Sequence, residues 1–307
     1  MNNFNIPILF IIFNRLETTT KVFKKIKEAA PARIYLASDG PRSNRSGEEK
    51  IVESVRKYVL NSVDWTCEVK TFFRETNLGC GKAVSEAITW FFENEEMGII
   101  LEDDCVPSNS FFLYCKKLLL KYKDDSRIFH IAGQNPLTLT KSPYSYYFAR
   151  IQHCWGWASW RRAWNQYNFD IEDNIYYIKN VLNNIFKRTA DIEYWLSVIE
   201  KMKSHRIDTW DYQWTYTIFK NNGFCINPTR NFVSNIGFNQ DATHTVDSNS
   251  VFNNQKKFEI DEIMHPPKIV INNRIIKEIN KISFGIQQKN IFVFIKKIIK
   301  KLYLKCN

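Results

Sequence analysis

The sequence predicts an α/β fold in which a mostly parallel sheet carries helices on both faces. Three observations lead there. Over the first 135 residues, short apolar runs alternate with stretches of helical periodicity, the pattern of strands joined by crossover helices. The apolar runs are continuous, as in strands covered on both faces. Four successive runs end in polar or charged clusters, and open parallel sheets bind ligands at those carboxyl ends.

Pro7–Phe13 (PILFIIF) is the first strand and ends at Asn14-Arg15. A helix follows with Val22, Phe23, Ile26 and Ala30 on one stripe. Arg33–Ser38 is the second strand, stopped by Asp39-Gly40-Pro41, which alone reads as a turn. The next helix carries Ile51, Val52, Val55, Tyr58 and Val59. Glu68–Phe73 is the third strand; Arg74-Glu75-Thr76-Asn77-Leu78-Gly79 separates it from a helix with Ala83, Val84, Ala87, Ile88 and Phe91. Gly98–Leu101 is the fourth strand, closed by Glu102-Asp103-Asp104. A helix with Phe111, Phe112, Cys115, Leu118 and Leu119 leads to a fifth strand, Arg127–Ala132.

Beyond Gln134 the pattern changes. The stretch Tyr144–Trp164 is rich in aromatic residues, and two helical segments follow over 173–186 and 190–204. A further helix covers about Thr209–Asn222, and Phe224–Asn227 reads as a short strand. Within HCWGWASWRRAW (His153–Trp164), Trp157, Trp160 and Trp164 fall at i, i+3 and i+7, the spacing of a core-facing helix. The competing reading gives the Trp155-Gly156-Trp157 turn a sugar face to stack on, with Arg161 or Arg162 near a phosphate. No internal repeat or low-complexity linker is present. A polar stretch opening at Asp247 marks a seam, which gives one domain over 1–245, with halves 1–135 and 136–245, and a basic tail over 246–307.

The charge supports that division. Of the net +11, residues His265–Asn307 carry +9 and the first 264 residues only +2. No nucleic-acid-binding module accompanies the charge, so nucleic acid is not an expected partner. Taken as a helix, 291–305 places Ile291, Ile295, Ile298, Ile299 and Leu302 on one face and Lys296, Lys297, Lys300 and Lys301 on the other. Such a basic amphipathic helix suits an anionic membrane surface, or it packs on its own domain with a solvated basic face. No apolar run approaches the about 20 residues of a spanning helix. The N-terminus has no basic region before its apolar stretch, which speaks against a secretory signal. The seven cysteines are widely spaced, with no C-x-x-C pair, as expected in a reducing compartment. The expectation is a cytoplasmic protein, peripheral at the inner face of the cell membrane.

Glu102-Asp103-Asp104 is the sharpest local signal. Three carboxylates at a strand end repel one another unless a cation or solvent compensates, and Mg²⁺ or Mn²⁺ uses carboxylates together with substrate phosphates. The other reading is an acidic loop favouring the dipole of the next helix.

ILEDDCVPSNSFFLYC (Ile100–Cys115) resembles the acidic motif and following helix of GT-A fold glycosyltransferases related to N-acetylglucosaminyltransferase I. PILFIIFNR and RIYLASDGPR are similar to that family's first two strands, and FFRETNLGCGKAVSEAI to its R-x-x-N-x-G stretch. TWDYQW and NIGFNQDATHT look like its catalytic segment and the C-terminal loop that folds over the diphosphate. The resemblance covers about residues 6–245 and is looser between 135 and 205, the region that shapes the acceptor site.

It implies a Rossmann-like nucleotide-sugar-binding sheet and an inverting, metal-dependent transfer, with a UDP-sugar as donor. The acceptor would be a hydroxyl on a cell-surface glycan intermediate such as lipopolysaccharide or capsule. By resemblance, Asp39 contacts the base, Arg74 the nucleotide or diphosphate and Asp103 the ribose, with Asn14, Arg15, Asn77, Gly79 and Glu102 on the same donor edge. Asp104 is the direct ligand of Mn²⁺ or Mg²⁺, and His244 is a candidate for metal or diphosphate contact, or a structural histidine. Asp211 is the general base, its pKa raised by aromatic neighbours, or it merely favours the dipole of the helix that Thr209 caps. Asp208 is the near alternative. Two rival functions stay open: an inactive GT-A-like assembly subunit at the membrane, and a sugar nucleotidyltransferase. The second should show a Gly-rich loop after the first strand, where this chain has Asn14-Arg15-Leu16-Glu17-Thr18.

Overall fold

The structure, a computed structural model, describes residues 4–137, 142–238 and 252–286. The first half runs β1 (Ile8–Ile12), α1 (Leu16–Ala29), β2 (Arg33–Ser38), α2 (Glu48–Asn61), β3 (Glu68–Phe73), α3 (Cys80–Asn94), β4 (Met97–Glu102), β5 (Cys105–Pro107), α4 (Asn109–Lys121) and β6 (Ile128–Ala132). The second half runs β7 (Tyr146–Ala149), β8 (Trp157–Trp160), α5 (Arg161–Trp164), α6 (Ile175–Ile185), α7 (Thr189–Lys203), α8 (Asp211–Lys220), β9 (Phe224–Pro228), β10 (Val233–Asn235) and α9 (Asn273–Phe284).

Eight of these strands form one sheet in the order β3-β2-β1-β4-β8-β6-β9-β7, and β5 pairs with β10 beside it. Strands β1 to β4 are parallel, as are β6 and β9; β8 and β7 run against their neighbours. The continuous apolar runs are explained by burial on both faces. Ile8, Phe10 and Ile12 pack with α1, α2 and α4, whereas Leu9 faces α3, α5 and α8. The same alternation splits Ile34 and Leu36 from Tyr35 and Ala37, and Ile99 and Leu101 from Ile100. Each fully buried aliphatic side chain of this kind contributes about 1.5–3 kcal/mol. A third cluster joins α6, α7, α8 and α9 around Trp195 and Phe219.

Two sequence expectations are corrected here. Trp157 and Trp160 lie on a strand, not on a helix, because β8 is inserted between β4 and β6 and inherits a partner on each side. Strand alternation then sends Trp157 to the α3 and α8 face and Trp160 to the α4 face. Trp157 is fully buried, so it has no face for a sugar. Because β8 is antiparallel to β4, Trp160 pairs with Met97 at the amino end of β4. Arg161 follows it there, donating Nε–H to the Phe92 carbonyl, on the edge of the sheet away from Glu102-Asp103-Asp104.

Residues 252–286 pack along the body. Tyr146 and His265 share a 2.9 Å hydrogen bond, and Ile276 and Ile279 enter the third cluster. The carboxylate of Glu259 accepts the amides of Asn109 (3.0 Å) and Ser110 (2.7 Å), so it caps α4 from 150 residues away. The acidic tripeptide does not serve that helix, from which β5 separates it. The seam near 246 and the 291–305 segment lie outside the described residues.

Candidate active site

The carboxyl ends of β1, β2, β3 and β4 converge on the α3 N-terminus. Arg15 precedes α1, and its backbone carbonyl accepts the Thr19 amide (3.0 Å) and the Thr19 hydroxyl (2.7 Å). Its guanidinium pairs with Asp103 and, at 3.0 Å, with Asp104. Burial opposes the Arg15 charge, but the two carboxylates win and raise its pKa. Burial, then repulsion from Asp104 and Asp103, pushes Glu102 up to about 8, with Arg15 opposing. Burial likewise raises Asp103 to about 6, against the pull of Arg15 and with repulsion from Asp104 adding to it. One Asp103 oxygen, Oδ2, is buried without a hydrogen-bond partner. Three carboxylates thus face one paired arginine.

The β5–β10 pairing brings residues 235–238 over this cluster. The Ile236 amide donates to the Asp104 carbonyl at 2.9 Å, and Asn235 Nδ2 reaches Asp104 Oδ1 at 3.4 Å. A Cβ on Gly237 would lie 2.1 Å from Asp104 Oδ2, so only glycine permits the approach. His244 lies outside the described residues.

A cavity of about 310 Å³ opens between these strand ends and α3. Arg15, Asp39, Arg74, Asn77, Gly79, Glu102 and Asp103 all line it, among apolar groups that include Ile12, Ala37, Phe72 and Val84. Asp39 is more constrained than its turn sequence suggests. Its oxygens accept the amides of Gly40, Leu78 and Gly79 at 2.9–3.1 Å and Asn77 Nδ2 at 2.8 Å. Burial raises its pKa, and those amides oppose the rise. Asp39 therefore shapes the 77–79 turn. Gly79, at φ +84°, begins α3 there. Arg74 pairs with Glu86 and lies 4.4 Å over the Phe72 ring. Asn14 is turned aside: its Nδ2 donates to Glu48 Oε1 at 2.9 Å, and it does not line the cavity. Arg42, which sequence inspection passed over, does line it, pairing with Glu48 and holding that carboxyl down at about 2. The only sequence signal for Arg42 is its position shortly after a strand end.

A second cavity, about 510 Å³, shares Glu102 and Cys80 with the first. Asp211 and Trp155 line it, with Gln134, Gln152, His153 and, from α9, Ser283 and Phe284. Trp155 stands perpendicular to the Phe238 ring at 5.4 Å. Asp211 is the first residue of α8, and the Thr209 hydroxyl donates to its carboxylate instead of capping the helix. Asp208 is committed elsewhere: its carboxylate accepts the amides of Cys80 (3.0 Å) and Gly81 (2.8 Å) and so caps α3. Gln152 Nε2 donates to the Asp211 carbonyl and the Thr215 hydroxyl at 3.2 Å, leaving Oε1 buried without a partner. Burial lowers the His153 pKa to about 4, so the ring is neutral, with Nε2 also unpartnered. Gln152 and His153 were not foreseen; nothing in their local sequence distinguishes them.

Among the described residues, no group of three or more His, Cys, Asp or Glu side chains is arranged to hold a metal ion. The oxygen donors present, Asp104 and the orphaned Asp103 Oδ2, fit a hard cation that completes its shell with substrate phosphates and water. No helix among the described residues is long and apolar enough to cross a membrane.

No family model and no curated protein matches the chain. Solved structures do. The mannosyltransferase PcManGT from Pyrobaculum calidifontis, solved with GDP-Man and Mn²⁺, is similar at 11% identity and a TM-score of 0.41, over 70% of this chain and 69% of that one. TarS 1-349 from S. aureus matches at 12% identity and a TM-score of 0.40, over 75% of this chain and 59% of that one. HddC from Yersinia pseudotuberculosis matches at 10% identity and 0.31, over 51% and 77%. At these identities, none assigns a role to a residue here.

Proposed function

We propose that the protein is an inverting glycosyltransferase that moves a sugar from a nucleotide-sugar, with UDP as the nucleotide, to a hydroxyl of a cell-envelope glycan. One observation carries this reading: two cavities meet at Glu102, one lined by arginines and apolar strand ends, the other by Asp211. The apolar part of the first cavity suits a planar base, and Arg15 and Arg74 suit the charge of a diphosphate. In the second, Asp211 accepts the acceptor's hydroxyl proton as that oxygen bonds to the anomeric carbon. The bond from that carbon to the diphosphate oxygen breaks on the opposite face, and the leaving nucleoside diphosphate takes the electron pair. Trp155 offers a ring face to the acceptor sugar. Arg15 holds Asp103 and Asp104 in place and offsets part of their repulsion. A divalent cation held by Asp104 would neutralise charge on the leaving diphosphate.

The test is a panel of purified protein against UDP-, GDP- and dTDP-sugars, with and without Mn²⁺, followed by nucleoside diphosphate release. Release with one donor class supports the reading. Donor binding without hydrolysis or transfer, with every acceptor tried, would favour the non-catalytic assembly subunit. The basic 291–305 segment is proposed to hold the enzyme at an anionic membrane surface, which liposome co-sedimentation at low salt tests.

A further inference from the structure

A third cavity of about 460 Å³ lies past the carboxyl ends of β6 and β9 and has no part in the transfer just described. Asn135, Thr229, Arg230, Asn231, Lys256 and Phe258 line it, and no Asp or Glu is among its described lining residues. Arg230 and Lys256 both sit over the Phe258 ring, 5.7 and 5.4 Å from its centre, and neither has an acidic partner among the described residues. Two cations over one ring make this wall of the cavity positive, which favours an anion beside them. The wall supplies a second, independent signal. Asn135 is only 3% exposed, its Oδ1 accepts the Leu137 amide at 2.8 Å, and its Nδ2 is buried without a partner. Because Oδ1 is committed to an N–H donor, the remaining atom is a true donor looking for an acceptor. Asn231 holds the frame: its Oδ1 accepts the Asn135 amide at 3.1 Å, and its Nδ2 donates to the Lys256 carbonyl at 3.3 Å. Water can meet each of these groups separately, since both cations are exposed, but one oxyanion meets the amide and the two charges together.

We propose that this cavity is an oxyanion subsite that takes a phosphate-class anion through Asn135 Nδ2, Arg230 and Lys256. Gln134, the preceding residue, lines the Asp211 cavity, so the subsite lies beside the acceptor side and suits a phosphate borne by the acceptor. Oxyanion binding itself stands without the glycosyltransferase reading; only the acceptor as its source depends on it.

The experiment titrates the full-length protein with inorganic phosphate by calorimetry, comparing wild type, the Arg230→Gln/Lys256→Gln double variant and Asn135→Asp. The double variant changes two exposed side chains and should fold normally; Asn135→Asp keeps the Oδ1 acceptor and turns the donor into a repelling carboxylate. Phosphate affinity should fall about tenfold or more in each, with nucleoside diphosphate affinity unchanged. A parallel titration with a glycerophosphodiester oligomer separates the sources: tighter binding than inorganic phosphate marks an acceptor-borne group, and equal binding marks free phosphate. Wild type and double variant binding phosphate alike, or wild type binding none, overturns the proposal.

Discussion

The two halves of the molecule build their cavities by different means. In the first half the 310 Å³ cavity is lined mainly by the last residues of strands and those a few positions beyond them, such as Arg15 after β1, Asp39 after β2, and Arg74 and Asn77 after β3. In the second half the 510 Å³ cavity draws on Gln152 and Trp155 from one loop, Asp211 from α8, Phe238 from the loop after β10, and Phe284 from α9. A parallel sheet concentrates its strand ends by topology alone, so local sequence suffices to find them. A cavity assembled from loops and helix ends scattered along the chain has no local signature.

Substitutions at the cavities test this contrast, and the largest effect is expected at Asp211. Asp211→Asn should lower transfer by about 10²–10⁴-fold with donor affinity nearly unchanged, read by steady-state kinetics and nucleotide titration. Near-normal transfer would remove Asp211 from the chemistry and leave it a purely local role at the start of α8. Asp104→Asn should lower metal-supported turnover by about 10²-fold and weaken metal-dependent nucleotide binding measured without turnover. Full activity in excess EDTA would break that expectation.

Gly237→Ala places a methyl where 2.1 Å separates it from Asp104 Oδ2, so the 235–238 turn must withdraw. Nucleotide affinity should drop about tenfold while the melting temperature falls by a few degrees, about 1 kcal/mol in a chain of this size. Asp208→Asn leaves the shape of the cap but removes its charge from the α3 N-terminus. Stability should fall by about 1 kcal/mol in denaturant unfolding, and transfer should fall far less than in Asp211→Asn. If the order of those two is reversed, the functions assigned to the two carboxylates are reversed as well.

The last effect is one of pH and touches stability alone. Glu48 titrates at about 2 instead of 4.5 because Arg42 holds its charged form, aided by the Arg42 amide and Asn14 against the cost of burial. A carboxyl whose folded pKa is depressed contributes its full stability above the unfolded value and loses it as pH falls through the folded one. Wild type should therefore lose stability between about pH 4.5 and 2 more steeply than Glu48→Gln, by about 1–3 kcal/mol across the window. Acid unfolding curves that superimpose would show that this pair does not brace the first cavity.

Much of the fold was legible in the chain itself. Arg33–Ser38 and Glu68–Phe73 match their strands residue for residue: continuous burial leaves a continuous apolar run in the first, and turn residues bound the second, a partly exposed strand at the sheet edge. The acidic tripeptide stands out by its charge, whereas Arg74-x-x-Asn77-x-Gly79 and Asp211 were singled out chiefly through a family resemblance; these residues line the two cavities, apart from Asp104. What tertiary structure alone decided were long-range partnerships. Trp157-Ala158-Ser159-Trp160 became a strand because β4 and β6 supply hydrogen bonds on both sides, overriding a helical spacing of tryptophans. Asp208 and Glu259 became caps of α3 and α4, 128 and 149–150 residues away, because the unpaired amides of a helix end accept any carboxylate the fold delivers. Periodicity and turn chemistry act over a few residues and are written in order along the chain. Pairing across the sheet and the satisfaction of buried polar groups depend on which segments meet, and only the folded chain brings them together.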